Sequence, residues 1–201
     1  MPRPTAKKTA ATAAHNGQGQ VRIIAGEWRS RRLPVPNGEG LRPTPDRVRE
    51  TLFNWLQAWI EGARVLDAFT GSGAVFLEAL SRGATGLALD TNPQALQSLR
   101  TNLGTLKAGD IGQTRATSAL EFLRQPADQR FDVVFLDPPF NQGLLQPTCQ
   151  LLEANGWLND NAWIYTESET APSQLGLPTN WELHREKKTG VVYYSLWRRT
   201  A

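Results

Sequence analysis

The sequence is poor in sulfur and histidine and has no long apolar run, and each shortage excludes a class of protein. Its 201 residues include one cysteine, Cys149, so no intrachain disulfide can form and a reducing compartment is expected. No stretch approaches the roughly 18 apolar residues of a membrane-spanning helix, and the N-terminus lacks the apolar core of a secretory signal. The two histidines, His15 and His184, have no metal-ligating neighbours in the sequence. We therefore expect a cytoplasmic protein that holds no metal.

Charge is distributed unevenly along the chain. The first 49 residues carry ten basic and three acidic side chains, whereas the rest of the chain carries twelve basic and sixteen acidic ones. This asymmetry favours a polyanionic partner that meets the N-terminal quarter, although a basic tail can also be simply solvated. Residues 1–20 are rich in alanine, threonine, glycine and glutamine and predict a disordered basic tail.

A β-hairpin and a helix are predicted directly after this tail. Val21-Arg-Ile-Ile-Ala and Arg32-Leu-Pro-Val are typical of two short strands joined by a turn. In the helix that follows, Thr44 is expected as the N-cap and Pro45 as the first helical residue, with the end near Gly62. Helical spacing predicts an apolar face made of Val48, Leu52, Trp55, Leu56 and Trp59.

From residue 64 onward, short strands alternate with helices. The segment Phe131-Asp-Val-Val-Phe-Leu is almost entirely apolar, as expected for a strand that is covered on both faces. The alternation predicts an open, mostly parallel α/β sheet with helices on both sides, and a closing hairpin predicts one antiparallel edge strand. We expect residues 21–201 to form one domain, in which 21–62 are an N-terminal extension.

A glycine loop follows the first strand of this pattern, in the segment Asp67-Ala-Phe-Thr-Gly-Ser-Gly. Gly71 and Gly73 allow the backbone to approach a ligand closely, and the helix that follows supplies free N–H donors. A dinucleotide-binding fingerprint needs a third glycine where Phe76 stands. The acid before the loop would repel a pyrophosphate but suits a cation such as a sulfonium amino acid, although Gly-Ser-Gly also occurs as a plain turn.

Asp90 ends the next predicted strand. An acid at the carboxyl edge of adjacent strands can accept hydrogen bonds from both hydroxyls of a ribose. The segment Asp90-Thr-Asn-Pro can equally be a turn that caps a helix through Asn92. The two interpretations are compatible.

The tetrapeptide Asp137-Pro-Pro-Phe follows the most apolar strand. Prolines lack an N–H and fix the backbone, which leaves carbonyl groups free to accept hydrogen bonds. The Asp137 carboxylate and the Pro138 carbonyl can accept the hydrogens of an exocyclic amino group, while Phe140 can stack on the base. After a glycine loop and a second acid at a strand end, this order favours transfer of a methyl group to a base over a simple turn.

These motifs resemble those of class I methyltransferases, and specifically of the RsmD family of bacterial 16S ribosomal RNA guanine-N2 methyltransferases. The resemblance spans about residues 21–198 and rests most strongly on Leu41-Arg-Pro-Thr-Pro-Asp-Arg-Val-Arg-Glu-Thr-Leu-Phe-Asn, with Arg22-Ile-Ile-Ala-Gly-Glu-Trp-Arg and Asp137-Pro-Pro-Phe. It implies a Rossmann-like, seven-stranded sheet with an antiparallel C-terminal strand. It also implies S-adenosylmethionine as cofactor and, as substrate, a loop guanine near the P site of the assembled small subunit.

The predicted site residues divide into three groups. Catalysis is assigned to Asp137, Pro138, Pro139 and Phe140. Cofactor binding is assigned to Asp67, Phe69, Gly71, Ser72, Gly73, Asp90, Asn92, Ser118 and Ala119, and the resemblance adds Arg42, Thr44, Arg49 and Phe53. Relatives often carry Asp or Asn where Ser118 stands, so a weaker or water-bridged contact to the adenine is expected there. Binding to RNA phosphates is assigned to Arg22, Arg29, Arg31 and Arg32.

Two further side chains are open to a functional or a structural interpretation. Trp28 could stack on a base, but a hairpin tryptophan packs on its own domain at least as often. Cys149 lies at helical spacing from Leu145 and Leu152, so we expect it in the core and not as a nucleophile.

The proposed reaction is direct transfer of the methyl group to the guanine amino group, with alignment of the reactants as the main contribution of the enzyme. Two alternatives remain at this point: an adenine-N6 methyltransferase that acts on DNA, and an inactive RNA-binding factor of ribosome assembly. A monomer is expected.

Overall fold

A computed structural model of the protein describes residues 19–36, 38, 41 and 43–200. Most of the predicted disordered tail, residues 1–18, therefore lies outside the described residues. Residues 19 and 20, which the sequence placed in the tail, belong to the first strand. No described helix is long and apolar enough to cross a membrane.

The elements follow one another in the predicted alternation of strands and helices. In chain order they are β1 Gly19–Arg22, β2 Arg32–Val35, α1 Asp46–Trp55, β3 Arg64–Asp67, α2 Ala74–Ser81, β4 Thr85–Asp90, α3 Pro93–Thr105, β5 Gly112–Ala116, α4 Ala119–Leu123, β6 Phe131–Leu136, α5 Leu145–Ala154, β7 Leu158–Ser168, a 3₁₀ turn Pro172–Gln174, β8 Trp181–Thr189 and β9 Val192–Arg199.

Seven strands form one sheet in the order β5-β4-β3-β6-β7-β9-β8. The five strands from β5 to β7 are parallel, and β9 runs antiparallel to both of its neighbours. The sheet thus confirms the predicted class and the antiparallel C-terminal strand. The strand order reverses between β3 and β6, and open α/β sheets bind ligands at the carboxyl ends of strands at such a point.

The prediction that the antiparallel strand lies at the edge is wrong, because β9 is inserted between β7 and β8. The sequences of the two strands explain this order. Ser195, Leu196 and Trp197 of β9 are buried, whereas residues 182–186 of β8 are all exposed. A polar strand with exposed side chains tolerates the edge better than an apolar one.

Apolar side chains cover both faces of the sheet. Val65 and Val133 point to one buried cluster, and Leu66 and Val134 point to another on the opposite face. Cys149 has no exposed surface and belongs to the second cluster, as expected, and burial raises the pKa of its thiol. A sheet that is covered on both faces presents the ends of its strands for binding.

The hairpin β1–β2 packs on the C-terminal end of α2. Trp28 is 6% exposed and belongs to the first cluster, so the packing interpretation of this residue is confirmed and stacking on a base is excluded. The main chain at Gly26 lies so close to α2 that an added Cβ would fall 1.8 Å from the Ser81 carbonyl oxygen. The hairpin is therefore fixed to the helix that follows the glycine loop.

Helix α1 differs from its prediction at both ends. Pro45 occupies the N-cap position with an extended ψ of 146°, so the helix begins at Asp46 and no side chain caps it. The Thr44 carbonyl instead accepts a hydrogen bond from Arg49 Nε. The helix ends at Trp55, before Gly62, and Trp59 is 41% exposed in the turns that follow.

Candidate active site

Four acidic residues lie at the carboxyl ends of four neighbouring strands. Asp90 ends β4, Asp67 ends β3, Asp137 directly follows β6 and Glu167 is the last residue but one of β7. The strand order β4-β3-β6-β7 brings them into one row along the edge of the sheet. The row is flanked by the glycine loop and by the two prolines, so the main predicted motifs meet at this edge.

The glycine loop is held in place by the strands on either side of it. The Ala68 N–H donates to the Phe135 carbonyl of β6 at 3.1 Å, and the Thr70 N–H donates to the Leu89 carbonyl of β4 at 3.0 Å. Gly73 has a φ of 78°, and a Cβ there would lie 2.7 Å from a methyl carbon of Leu99. Glycine is therefore required at this position for its backbone conformation and for the close packing of α3.

A cavity of about 530 Å³ opens over β3, β4 and β6. Six of the residues assigned to the cofactor line it, namely Phe69, Gly71, Asp90, Asn92, Ser118 and Ala119. Asp90 accepts the Gly71 N–H at 2.8 Å through one carboxylate oxygen and the Asn92 N–H at 2.7 Å through the other. Asp90 therefore shapes the loop and still has lone pairs that face the cavity, while Asn92 caps α3.

A second, much smaller cavity of about 70 Å³ lies under the glycine loop. Its walls include Thr44, Asp67, Ser72, Asp137 and Tyr165. Asp67 is 4% exposed and accepts a hydrogen bond from the Thr70 hydroxyl at 3.0 Å. Burial raises the pKa of Asp67 to about 7, although the Thr70 hydrogen bond opposes the shift. Asp67 takes part in none of the ion pairs in the described part of the chain.

The segment Asp137–Phe140 crosses the mouth of the site. Neither the Asp137 carboxylate nor the Pro138 carbonyl accepts a hydrogen bond from a described residue, and Phe140 is 40% exposed. Burial raises the pKa of Asp137. Two hydrogen-bond acceptors and an aromatic face are therefore available to a ligand at this point.

Two of the residues that the resemblance assigned to the cofactor are placed elsewhere. Arg49 and Phe53 are 1% and 0% exposed, and neither lines the two cavities described above. Arg49 forms an ion pair with Glu78 at 3.2 Å, and Phe53 packs on Phe135 with ring centroids 6.0 Å apart. Both support the wall of the site from behind, because α1 packs its buried side against the sheet. Arg42 lies outside the described residues.

Ser118 lines the large cavity, and its hydroxyl oxygen also accepts the Glu121 N–H at 3.1 Å. It therefore caps α4, which follows directly. The hydroxyl oxygen thus already accepts one hydrogen bond, and the weaker contact to the adenine stays a prediction.

The four arginines assigned to RNA are not equivalent. Arg22 binds Asp46 through Nε at 3.1 Å and Nη2 at 2.7 Å, so its charge is partly neutralised. Arg29, Arg31 and Arg32 are exposed on the hairpin, and none of them forms an ion pair with a described residue. Of the four arginines, these three can bind a polyanion without first breaking a described ion pair.

The sequence analysis missed three residues of the site: Thr70, Tyr165 and Glu167. Glu167 could have been found, because the largely apolar run Ala162-Trp-Ile-Tyr-Thr ends on it in the same way as other strands end on Asp67 and Asp90. Its nearness to Asp137 depends on the pairing of β6 with β7, in which Leu136 lies beside Thr166. That pairing is not visible in a single sequence.

Comparison with known proteins identifies a family and several relatives that this chain resembles in sequence and structure. The sequence profile of the family described as conserved hypothetical protein 95 matches residues 21–198. The ribosomal RNA small subunit methyltransferase D of Escherichia coli strain K12 is 54% identical over 188 residues, which cover 93% of this chain and 94% of that protein. The protein of the same name from Haemophilus influenzae is 50% identical over 186 residues, which cover 91% and 96%. The solved structure of yhhF from Escherichia coli has a TM-score of 0.84 at 53% identity and covers 91% of this chain and 99% of that one.

Proposed function

Because the chain belongs to the RsmD family of methyltransferases, we propose that it transfers a methyl group from S-adenosylmethionine to N2 of a guanine in 16S ribosomal RNA. The fold is that of a Rossmann-like class I methyltransferase. The observation that carries the proposal is the position of Asp137, Pro138 and Phe140 at the point where the large cavity meets the row of strand-end acids.

The side chains at the edge of the sheet suit the proposed cofactor. S-adenosylmethionine supplies an electrophilic methyl group on a positively charged sulfur. Asp90 would bind the ribose hydroxyls, and Ser118 and Ala119 would border the adenine in the large cavity. Asp67 would attract the positively charged part, since no cation among the described residues pairs with it. The N-terminus of α2 would bind the carboxylate through N–H groups, whereas the Gly71 N–H is already donated to Asp90.

The residues after β6 would hold the amino group that is methylated. The Asp137 carboxylate and the Pro138 carbonyl are free acceptors, so they can bind the two amino hydrogens and orient the nitrogen lone pair. Phe140 can stack on the base, which is worth roughly 1–3 kcal/mol. The enzyme therefore contributes mainly alignment, and no covalent enzyme intermediate is needed.

RNA is the proposed nucleic acid because the relatives at 54% and 50% identity are named after ribosomal RNA. Arg29, Arg31 and Arg32 would bind phosphates and so orient the RNA without reading its sequence. The substrate would be the small ribosomal subunit or an assembly intermediate, and the enzyme would act as a monomer in the cytoplasm without a metal ion.

The proposal is tested with small ribosomal subunits from cells that lack the gene. Methyl-labelled S-adenosylmethionine is supplied with the wild-type protein or with Asp137→Ala, and the labelled nucleoside is identified. We expect label in N2-methylguanosine, reduced at least about 100-fold in the variant because one of two acceptors for the amino group is lost. Binding of S-adenosylhomocysteine by calorimetry serves as the control for folding.

The outcomes separate the parts of the proposal. Label in another nucleoside would retain the methyltransferase and replace the substrate. Label on DNA and none on subunits would support the adenine alternative. Cofactor binding without transfer to any nucleic acid would support an inactive assembly factor.

A further inference from the structure

A third cavity, of about 280 Å³, lies on the β7 side of the Asp137–Phe140 segment. It shares Pro138, Pro139 and Phe140 with the large cavity, so the segment stands between the two. Glu167 lines this third cavity and does not line the large one. A molecule in the large cavity and a molecule in the third cavity would therefore meet at the two prolines.

Glu167 is buried, but one of its oxygens is free. The residue is 7% exposed, and the Tyr165 hydroxyl donates to Oε1 at 2.9 Å. Among the described residues Oε2 has no hydrogen-bond partner, although every fully buried side-chain oxygen and nitrogen there has one. Oε2 is therefore not fully enclosed, and Glu167 is one of the residues that line the third cavity.

No basic side chain in the described part of the chain forms an ion pair with Glu167. Burial, followed by the negative charge of Asp137, raises the pKa of Glu167 to about 8. The other titratable groups that it faces are the hydroxyls of Tyr165 and Tyr194. A ligand that brings hydrogen-bond donors would stabilise the ionised carboxylate here.

We propose that Glu167 accepts a hydrogen bond from N1–H of the target guanine and thereby selects guanine over adenine. This inference rests on the function proposed above. The edge of guanine presents N1–H next to the N2 amino group. With the amino group at Asp137 and Pro138 on the end of β6, the N1–H is directed to the neighbouring strand, where Oε2 of Glu167 is free. Tyr165 positions Glu167 by holding Oε1.

The same arrangement disfavours adenine. With its N6 amino group at Asp137, adenine would turn N1 toward Glu167, and N1 of adenine carries a lone pair in place of a hydrogen. Above its pKa of about 8, where Glu167 is ionised, its oxygen would face the lone pair of adenine N1, make no hydrogen bond and be repelled. Discrimination would thus arise from hydrogen-bond pattern and not from the size of the cavity.

The first test measures methylation of small ribosomal subunits by wild type, Glu167→Ala and Glu167→Gln. The matched control is Glu182→Gln, which removes the same charge from an exposed position of β8. We expect kcat/KM to fall about 10- to 100-fold for Glu167→Ala, as for the loss of a hydrogen bond to a charged group. Glu167→Gln keeps an acceptor oxygen and should retain part of the activity. The dissociation constant of S-adenosylhomocysteine should change little in all three variants, and Glu167→Gln should keep the Tm because its oxygen can still accept the Tyr165 hydroxyl.

The second test has a readout that a merely structural role of Glu167 would not move. Saturation-transfer NMR compares guanosine 5′-monophosphate with 1-methylguanosine 5′-monophosphate on protein loaded with S-adenosylhomocysteine. Wild type should bind the unmodified nucleotide about 10-fold more tightly, and Glu167→Ala should bind both alike.

The failures of the two proposals are distinguishable. Wild-type label in a nucleoside other than N2-methylguanosine overturns the proposed function and the guanine assignment together. Label in N2-methylguanosine that Glu167→Ala leaves within about twofold overturns only the role of Glu167. Equal binding of both nucleotides by wild type overturns the N1–H contact.

Discussion

Carboxylates are buried in two regions of the protein, and they are ion-paired in one region and unpaired among the described residues in the other. Beneath the hairpin, Glu78 is completely buried and forms ion pairs with Arg49 at 3.2 Å and with Arg82 at 2.9 Å. Its two oxygens also accept the N–H groups of Ile24 and Ala25. At the edge of the sheet, Asp67, Asp137 and Glu167 have no cationic partner among the described residues, and the pKa of each is raised.

The presence or absence of a cationic partner distinguishes carboxylates that stabilise the fold from carboxylates of the candidate site. A buried charge whose hydrogen bonds are all made stabilises one arrangement of the chain, and here it fixes the hairpin and α1 to α2. A buried charge without a partner costs stability, and functional sites are where such costs are found. The arginines show the same contrast: Arg49 is paired and 1% exposed, whereas Arg29, Arg31 and Arg32 are exposed and unpaired in the described part of the chain.

The largest effect on stability is expected for Glu78→Ala. This change removes one of the two carboxylates that pair with the buried Arg49, leaving only Asp46 at 2.6 Å, and leaves two backbone N–H groups without acceptors. Breaking a buried ion pair costs about 3–5 kcal/mol in the free energy of unfolding. Urea denaturation measures the loss, with the exposed Glu182→Ala as control, for which a change within about 0.5 kcal/mol is expected. A loss below about 1 kcal/mol would show that the network adds little to the fold.

Above neutral pH, Asp67→Asn is expected to raise the free energy of unfolding, whereas Glu78→Ala lowers it. Because the pKa of Asp67 is raised to about 7 in the folded protein, its stabilising contribution is complete below pH 3.8 and is lost as the pH rises through 7. Asparagine cannot ionise, so the ligand-free variant should be more stable than wild type by roughly 1–3 kcal/mol at pH 8 and not at pH 4. Thermal unfolding at several pH values measures this difference.

The same substitution tests the charge that a ligand brings. In wild type, affinity for S-adenosylmethionine should rise between pH 6 and 8 as Asp67 ionises, and calorimetry should show that this rise is absent in Asp67→Asn. A wild-type affinity that falls over this range would contradict a cation at Asp67.

The smallest effect on the free energy of unfolding is expected when Arg29, Arg31 and Arg32 are replaced together by glutamine. These side chains form no described ion pair, so stability should hardly change. Binding to ribosomal RNA should weaken, and the slope of log K against log salt should decrease by about 2–3, since each phosphate contact releases nearly one counterion. Replacing Arg100, Arg124 and Arg130 removes equal charge elsewhere and should leave the slope unchanged. A slope unaffected by the hairpin variant would remove these arginines from the RNA-binding surface.

The sequence predicted those parts of the site that depend on residues near one another in the chain. The glycine loop and the Asp137-Pro-Pro-Phe turn follow from strands and turns that are read locally. Adjacent positions for Asp67 and Asp90 follow from consecutive strands in one parallel sheet. Each of these features needs only a few neighbouring residues to specify it.

The parts that sequence analysis missed depend on contacts between distant segments. The burial of Arg49 requires Glu78, which is 29 residues away, and the role of Glu167 requires the pairing of β6 with β7. Thr44 failed as an N-cap for a more local reason, since Pro45 takes an extended conformation and the Thr44 carbonyl binds Arg49. Long-range packing thus decided which charged residues became structural.

During synthesis, the hairpin is made before the later segments of the chain that it contacts in the folded protein. Pro34 of the hairpin binds Asn102, which is added 68 residues later. At about 5–20 residues per second, a ribosome needs roughly 3–14 s to synthesise that length. During this interval Val21, Ile23 and Trp28 have no core to enter and remain in water. In that time the apolar side chains of the hairpin are open to chaperones and to non-native contacts.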